Sequence, residues 1–450
     1  MRGQENEDAI LEAVAHFADS YFRDSLGVGL RDGIHNSVSL TKNRVDAAFM
    51  HKDITEILDK IDPRKIADLT LELVKIPSPT GHELEAARFY ASQLEKIGLE
   101  VRLDHVEANR PNVIATLRGK GGGKNLILAG HLDTIPQEKC VPPRSEQGRV
   151  YGRGACDMKG SLAAMVETAR ALVASKAQLR GDVILIGWVG HEAPTGRGLG
   201  PKAVAKSIRE GEIKAAGAVI TEGPLDSVGI AQGGMAIFTI TTSSPKGTVH
   251  TATVPLRSNP ILWIAEAVRE ILAFDEELNS KPWNPLIPQR PSVQLGIVSG
   301  GDFYNRLPTE CRLTGTVRWD PGESVHIVEN RLRNRLDKLE NRLWHSLDGD
   351  VRFKLEMDLV RESYEIPDDS EMVKSTQAAI REVTGKDVSV SGWRGVGDPP
   401  ILNDAGVPTV FYGPIDFANV TAHSDNEWIS IESLATVSGV YAALAYRYCA

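Results

Sequence analysis

Apolar residues recur at helical spacing twice in the first sixty-one positions: Ile10, Leu11, Val14, Phe17 and Ala18, then Ile54, Ile57, Leu58 and Ile61. This predicts a helical N-terminal extension over residues 1–60, a segment with no chemical signal of its own. From Ile66 the pattern changes. A helix is predicted over 67–74, running into the breaker-rich Ile76-Pro77-Ser78-Pro79-Thr80-Gly81, and another over 83–97. Strands are predicted over 100–103, 112–117 and 125–129, the last two flanking the turn-forming Arg118-Gly119-Lys120-Gly121-Gly122-Gly123-Lys124. A helix over 161–174 and apolar strands over 183–189 and 216–220 follow. Strands alternating with helices predict an α/β domain whose mostly parallel sheet is covered by helices on both faces.

Near residue 232 the character shifts. Strand-like alternation over 235–242 is followed by a helix over 261–274, then strands over 293–298, 312–319 and 351–359. Between the last two lies a highly charged helix over 325–347, with Leu332, Leu336, Leu339 and Leu343 on one apolar stripe. The first pattern then resumes, with a helix over 371–383, a strand over 409–412 and a helix over 430–448. The order predicts a split domain, 61–231 with 364–450, interrupted by an inserted α+β unit over 232–363. A length of 450 residues agrees, being more than one ordinary core holds.

Composition narrows the function. A net charge of −9 argues against a nucleic-acid backbone as partner. No stretch approaches the roughly 20 apolar residues that span a bilayer, and the polar start, Met1 to Asp8, does not read as a secretory signal. Cys140, Cys156, Cys311 and Cys449 are scattered, as expected for reduced thiols in a cytoplasmic protein.

The chemistry gathers at strand ends, where open α/β sheets place their sites. His131 and Asp133 follow an apolar run and Gly130. The histidine can offer a nitrogen to a metal, and the aspartate can orient an imidazole. Asp157 lies in Gly152-Arg153-Gly154-Ala155-Cys156-Asp157-Met158-Lys159-Gly160, just before a helix. A carboxylate there can bridge two cations or simply cap the helix; Cys156 reads as a small turn residue. Gly190-His191-Glu192 and Thr221-Glu222-Gly223 each follow an apolar strand, and Thr421-Ala422-His423-Ser424-Asp425-Asn426-Glu427 follows Phe411-Tyr412-Gly413-Pro414. Each alone has an ordinary reading as a loop polar group. Together, mixed histidine and carboxylate ligands suit zinc, cobalt or manganese better than calcium.

In order and spacing these motifs resemble the aminoacylase/carboxypeptidase family of di-metal peptidases, which includes acetylornithine deacetylase and succinyl-diaminopimelate desuccinylase. The resemblance covers about residues 66–445. It implies one or two divalent metals, with Asp157 as the bridging ligand, His131 and Glu222 on one metal, and Glu192 and His423 on the other. It implies that Asp133 backs His131. It also implies that the inserted unit is a lid and dimerisation domain, whose His250 reaches the other subunit's site to steady an oxyanion. Asn305 and Arg318 would grip a substrate carboxylate, a role that suits the planar guanidinium fork. One departure stands out. The family has Asp-Glu-Glu where this chain has Gly190-His191-Glu192, so the general-base position holds an imidazole.

The expected protein is therefore a homodimeric metal-dependent hydrolase of an N-acyl amino acid or small peptide, with a metal-activated water and His191 as base. Two readings stand beside it: a hydrolytic deaminase or other non-peptide C–N hydrolase with one metal, and an inactive binding protein that keeps the fold. The specificity pocket is expected on loops that include Trp393, Arg394 and Asp398.

Overall fold

The computed structural model describes residues 52–192, 197–347 and 351–450. Most of the N-terminal extension, residues 1–51, and Ala193 to Gly196 of the loop after Glu192 lie outside them. The described chain opens with helix Lys52–Leu58, whose Ile54 and Ile57 are buried. Helix Pro63–Lys75 starts sharply because Asp62 accepts the N–H of Arg64 and proline occupies the first turn.

The strands, in chain order, are β1 (Glu100–Glu107), β2 (Arg110–Leu117), β3 (Leu126–His131), β4 (Arg144–Glu146), β5 (Arg149–Tyr151), β6 (Val183–Trp188), β7 (Gly217–Ile220), β8 (Ser227–Gln232), β9 (Gly234–Ser243), β10 (Ser292–Gly300), β11 (Glu310–Trp319), β12 (Lys354–Arg361), β13 (Tyr364–Glu365), β14 (Ser389–Trp393), β15 (Thr409–Phe411) and β16 (Trp428–Ser430). Nine of them form one sheet in the order β1-β2-β6-β3-β7-β15-β8-β13, with β14 beside β8. Its centre, β6-β3-β7-β15, is parallel. Every residue of β3, β6 and β7 is buried, as a sheet covered on both faces requires. The fold class is the α/β one expected. The strands on either side of the glycine-rich 118–124 turn are not neighbours, because β6 lies between β2 and β3.

The chain leaves this sheet after β8 and rejoins it at β13. Between them an antiparallel sheet in the order β10-β11-β9-β12 packs on helices Pro260–Leu278 and Val325–Leu347. Leu332, Leu336, Leu339 and Leu343 point into a second apolar core with Phe238, Phe274 and Trp319. Asn259 caps the first of these helices by accepting the N–H of Ile261. The last helix, Ile431–Tyr448, is capped by Ser430 and is buried along most of its length. Arg361, at the end of β12, reaches the loop after β6, with its Nη2 3.4 Å from the His191 backbone oxygen.

Candidate metal centre

β3 ends in Gly130-His131. A Cβ on Gly130 would come within 2.2 Å of the Met158 methyl, so with glycine here that side chain, from the segment carrying Asp157, packs against the strand end without shifting. His131 is buried, and its Nδ1 lies 2.8 Å from the backbone oxygen of Asp133. A carbonyl only accepts, so Nδ1 carries a proton and Nε2 faces the acids. That Nε2 is 2.9 Å from Asp157 Oδ1 and 3.9 Å from Glu222 Oε2.

Asp157 is held by a buried carboxylate far along the chain. Glu427 Oε1 accepts the N–H groups of Gly154, Cys156 and Asp157 at 3.0, 3.0 and 3.1 Å, and Oε2 accepts from Arg153 Nη1 at 2.6 Å. Gly154 takes the left-handed backbone this turn needs, with φ 86°. So fixed, Asp157 turns its second oxygen, Oδ2, to His423 Nε2 at 3.2 Å, and the same nitrogen is 3.1 Å from Glu192 Oε1. His423 sits at φ 65°, a conformation non-glycine residues adopt rarely and often at functional sites.

The electrostatics follow from packing three acids around two imidazoles. Burial would raise the Asp157 carboxyl, but the hydrogen bonds and charges of His131 and His423 hold it well below the usual range. Burial and the Asp157 charge push Glu222 up to about 7. Hydrogen bonds to Asp157 and Glu192 carry His423 up to about 10. Burial would lower His131, but Asp157, Asp133 and Glu222 carry it well above its ordinary value. The cluster thus gathers positive charge. Its donors, imidazole nitrogen and carboxylate oxygen, fit a divalent transition metal, and one ligand atom each from His131, Asp157 and Glu192 lie within 4.8 Å of one another.

Asp133 does not back His131 with its carboxylate, which is 3.9 Å from Nδ1. The carboxylate instead accepts the N–H of His191 at 3.0 Å, the N–H of Glu192 at 2.9 Å and the Thr80 hydroxyl at 2.8 Å. It therefore fixes the loop that presents both residues. The His191 ring stacks on His131 with centroids 4.2 Å apart and planes 7° from parallel. Its Nδ1 is 2.7 Å from Asp398 Oδ2. Burial lowers His191, but the charge and hydrogen bond of Asp398, with the Glu222 charge, together raise the group.

One ligand atom each from His131, His191 and Glu222 also lie within 4.8 Å of one another. Imidazole lone pairs lie in the ring plane, however, and two parallel stacked planes do not contain one common cation. The stacking therefore separates His191 from the metal that His131 would hold.

The sequence profile of peptidase family M20/M25/M40 matches residues 127–447, the span that carries this cluster. The chain belongs to that family. It is 26% identical over 429 residues to an N-formyl-4-amino-5-aminomethyl-2-methylpyrimidine deformylase of Halalkalibacterium halodurans, covering 88% of this chain and 97% of the relative. It is 27% identical to a succinyl-diaminopimelate desuccinylase of Hahella chejuensis, covering 83% and 94%. Among solved structures, the aminopeptidase PepT of Bacillus cereus superposes with a TM-score of 0.70 at 20% identity, over 87% of this chain and all of that one. A Bacillus subtilis protein described as a dinuclear metal-binding peptidase of the family superposes with a TM-score of 0.64 at 17% identity, over 86% and 97%. At that identity the structural likeness speaks for the fold.

As a member of the M20/M25/M40 peptidases the protein is a metal-dependent hydrolase of amide C–N bonds. Seven residues singled out in the sequence meet at its centre: His131, Asp133, Asp157, His191, Glu192, Glu222 and His423. His250 and Asn305 meet each other instead, with His250 Nε2 3.3 Å from the Asn305 amide nitrogen. Among the described residues no contact ties that pair to the centre. His250 Nδ1 accepts the N–H of Ala252 at 3.1 Å, which leaves Nε2 to carry the ring proton and requires the Asn305 amide to turn its oxygen, not its nitrogen, toward it. Arg318 donates to the Arg394 backbone oxygen at 2.7 Å and forms no ion pair among the described residues.

Two residues of this centre, Glu427 and Arg361, were not singled out in the sequence, and a third, Asp398, was named only with the specificity loops. Glu427 appears only at the edge of the His423 motif. Asp398, expected only on a loop of the specificity pocket, precedes helix Pro399–Asn403, and its side chain caps nothing there. It accepts from Arg361 Nε at 3.0 Å and Nη2 at 2.8 Å as well as facing His191. Burial would raise Asp398, but His191 and Arg361 hold it well below the usual carboxylate range. Arg361 closes β12, where nothing but its charge marks it.

Proposed function

We propose that the protein hydrolyses the amide bond of an N-acyl amino acid or small peptide at a two-metal centre. Asp157 would bridge, with His131 and Glu222 on one metal and Glu192 and His423 on the other. One observation carries this reading: the two oxygens of Asp157 face two different histidines, at 2.9 and 3.2 Å. Zinc suits this donor set, with manganese or cobalt as substitutes. A metal pair held there supplies Lewis acidity, which polarises a carbonyl and makes a water acidic near neutral pH.

The chain's own residues do the rest. His191 Nε2 takes the proton of the attacking water and returns it to the leaving nitrogen. Asp133 holds the His191–Glu192 backbone in place for this. The Arg318 fork receives the substrate carboxylate, and Asn305 and His250, which pair with each other, reach the site from the other copy, where the His250 ring donates to the oxygen that gains charge. The names of the deformylase and desuccinylase relatives favour a small acyl group on the scissile nitrogen.

The inserted unit, residues 232–363, serves as lid and dimer interface in this reading. β10 is an edge strand with exposed Leu295, Ile297 and Val298, the last two more than 60% exposed. A bare apolar edge is a template for pairing, and a second copy of the chain would cover it. The four free cysteines suit a cytoplasmic enzyme. No described helix is long and apolar enough to cross a membrane.

The test is elemental analysis of gently purified protein, followed by a screen of N-formyl, N-acetyl and N-succinyl amino acids and dipeptides for release of the free amine. Two metals per chain and amine release support the proposal. Turnover of none of these with two metals bound would overturn the substrate assignment. One metal per chain would overturn the bridging role of Asp157.

A further inference from the structure

The group at the base position is a histidine, and an imidazole can act as a base only through a nitrogen that carries no proton. What fixes the proton on His191 is therefore part of how the site works. The ring has little freedom. Its backbone N–H is tied to Asp133 at 3.0 Å, and its face lies against His131 at 4.2 Å between centroids. Its Nδ1 meets Asp398 Oδ2 at 2.7 Å, in a pair whose side chains are 10% and 1% exposed.

Asp398 is itself immobilised from the other side. Arg361 places Nε 3.0 Å and Nη2 2.8 Å from Asp398 Oδ1, and its side chain is 3% exposed. A guanidinium has donors only, so the Asp398 atom facing Arg361 must accept. Arg361 Nη2 also lies 3.4 Å from the His191 backbone oxygen, so one guanidinium touches both members of the pair. One carboxylate oxygen thus belongs to Arg361 and the other is left for His191.

We propose that Asp398, anchored by Arg361, is a positioning residue that keeps the His191 proton on Nδ1 and turns the Nε2 lone pair toward the Asp157–Glu222 side of the site. The proposal rests on the reading that His191 is the base. It is a statement about which nitrogen is protonated, and it can be tested apart from turnover. A plain bracing role for the Asp398–His191 contact needs the same Nδ1 proton, because a carboxylate only accepts, but it gives Nε2 no part in turnover and so predicts no selective fall in kcat.

The variant Asp398→Asn separates the two. With Arg361 still requiring an acceptor, the amide oxygen faces the guanidinium and the amide NH2 faces His191 Nδ1. Nδ1 must then accept, and the proton moves to Nε2, where the lone pair should be. Asp398→Glu keeps an acceptor-only group and leaves the proton on Nδ1.

The measurement is a two-bond proton–nitrogen correlation spectrum of the zinc-loaded, 15N-histidine-labelled full chain, with His191 assigned by its loss in His191→Gln. The expected result is a neutral His191 protonated at Nδ1 in the unmodified protein and in Asp398→Glu, and at Nε2 in Asp398→Asn. Metal content should be equal in all of them. In Asp398→Asn, kcat should fall about 10²–10⁴-fold, the usual contribution of a general base, with KM changed by less than about threefold. A proton on Nε2 in the unmodified protein overturns the proposal with no variant needed, and so does an Nδ1 proton that persists in Asp398→Asn. If the proton shifts as stated while His191→Gln keeps its kcat, the positioning role stands and the base assignment alone falls.

Discussion

The rings of His131 and His191 lie face to face, 4.2 Å apart and 7° from parallel, yet they hand their Nδ1 protons to different oxygens. His131 uses the Asp133 carbonyl and His191 uses the Asp398 carboxylate. Each oxygen partner lies outside the cluster of candidate ligands, so both rings present Nε2 inward. A backed imidazole of this kind is the usual form of a metal ligand or a base. Because the planes are parallel, the two rings address different points, and one ligand and one base can share the same strand-end shelf.

This separation predicts the behaviour of His191→Gln. Metal content should stay as in the parent, while kcat falls by about 10²–10⁴-fold. Elemental analysis beside steady-state kinetics checks it. Loss of one metal together with activity would make His191 a ligand instead.

The loop behind these rings depends on Asp133. Its carboxylate accepts two backbone N–H groups and one hydroxyl. In Asp133→Asn one backbone N–H must face an NH2 group, so His191 and Glu192 shift together. Metal affinity should fall by about 10–100-fold, as for other groups that orient a ligand without touching the metal. Thr80→Ala removes a single hydrogen bond and should cost only about 1 kcal/mol. Competition with a chelator measures the first effect and urea unfolding the second. Equal affinity in Asp133→Asn and the parent would remove Asp133 from the site's support.

Four of the five candidate ligands were legible because each directly follows an apolar strand or sits among glycines, patterns that span only a few residues, while His423 follows β15 by 12 positions. What holds them in place was not. Asp398 lies 207 positions from His191, and Glu427 lies 270 from Asp157. No local periodicity records such pairings. The same limit explains β8 and β14. Their short Ser-Val-Gly-Ile-Ala-Gln and Ser-Val-Ser-Gly-Trp were not read as strands; β14 is held as one by pairing with β8, and β8 by β13, β14 and β15. Long apolar runs such as β3 and β6 and the leucine stripe of the 325–347 helix needed no partner to be read.

Glu427 gives a stability prediction. It is fully buried and ion-paired to Arg153 while accepting three N–H groups. In Glu427→Gln the Arg153 guanidinium keeps its charge in a buried place without a counter-charge. Breaking a buried pair from one side costs about 3–5 kcal/mol. Urea unfolding of the metal-loaded protein should show that loss, and a change below 1 kcal/mol would mean that Glu427 does not carry the Asp157 turn.

Metal uptake should depend on pH with a definite sign. Glu222 is raised to about 7 and His423 to about 10, so near neutrality protons occupy groups that a metal must use. Binding therefore releases protons, and affinity falls as pH falls, by about tenfold per pH unit for each proton displaced. Zinc affinity followed by chelator competition from about pH 8 down to 6 should drop steadily. In His423→Gln the slope should be shallower by about one proton. A flat profile would show that these groups are not displaced by the metal.

The most exacting consequence concerns His250. Its contacts are with Asn305 and Ala252 in its own unit, and the proposal gives it to the centre of the other copy. Then His250→Ala and His131→Ala are defects in different places. A His250→Ala chain has a sound metal centre and lacks only the partner's His250; a His131→Ala chain has the reverse. Each variant alone should be nearly inactive. After mixing and exchange, half the dimers are hybrids, and each hybrid has one complete centre, so activity should return to about a quarter of the parent's. If His250 served its own chain's centre, every centre in the mixture would be defective and no activity would return. Ile297→Lys on the exposed β10 edge supplies the control. It should yield monomers by sedimentation and abolish the recovery, because a positive charge on an edge strand blocks pairing.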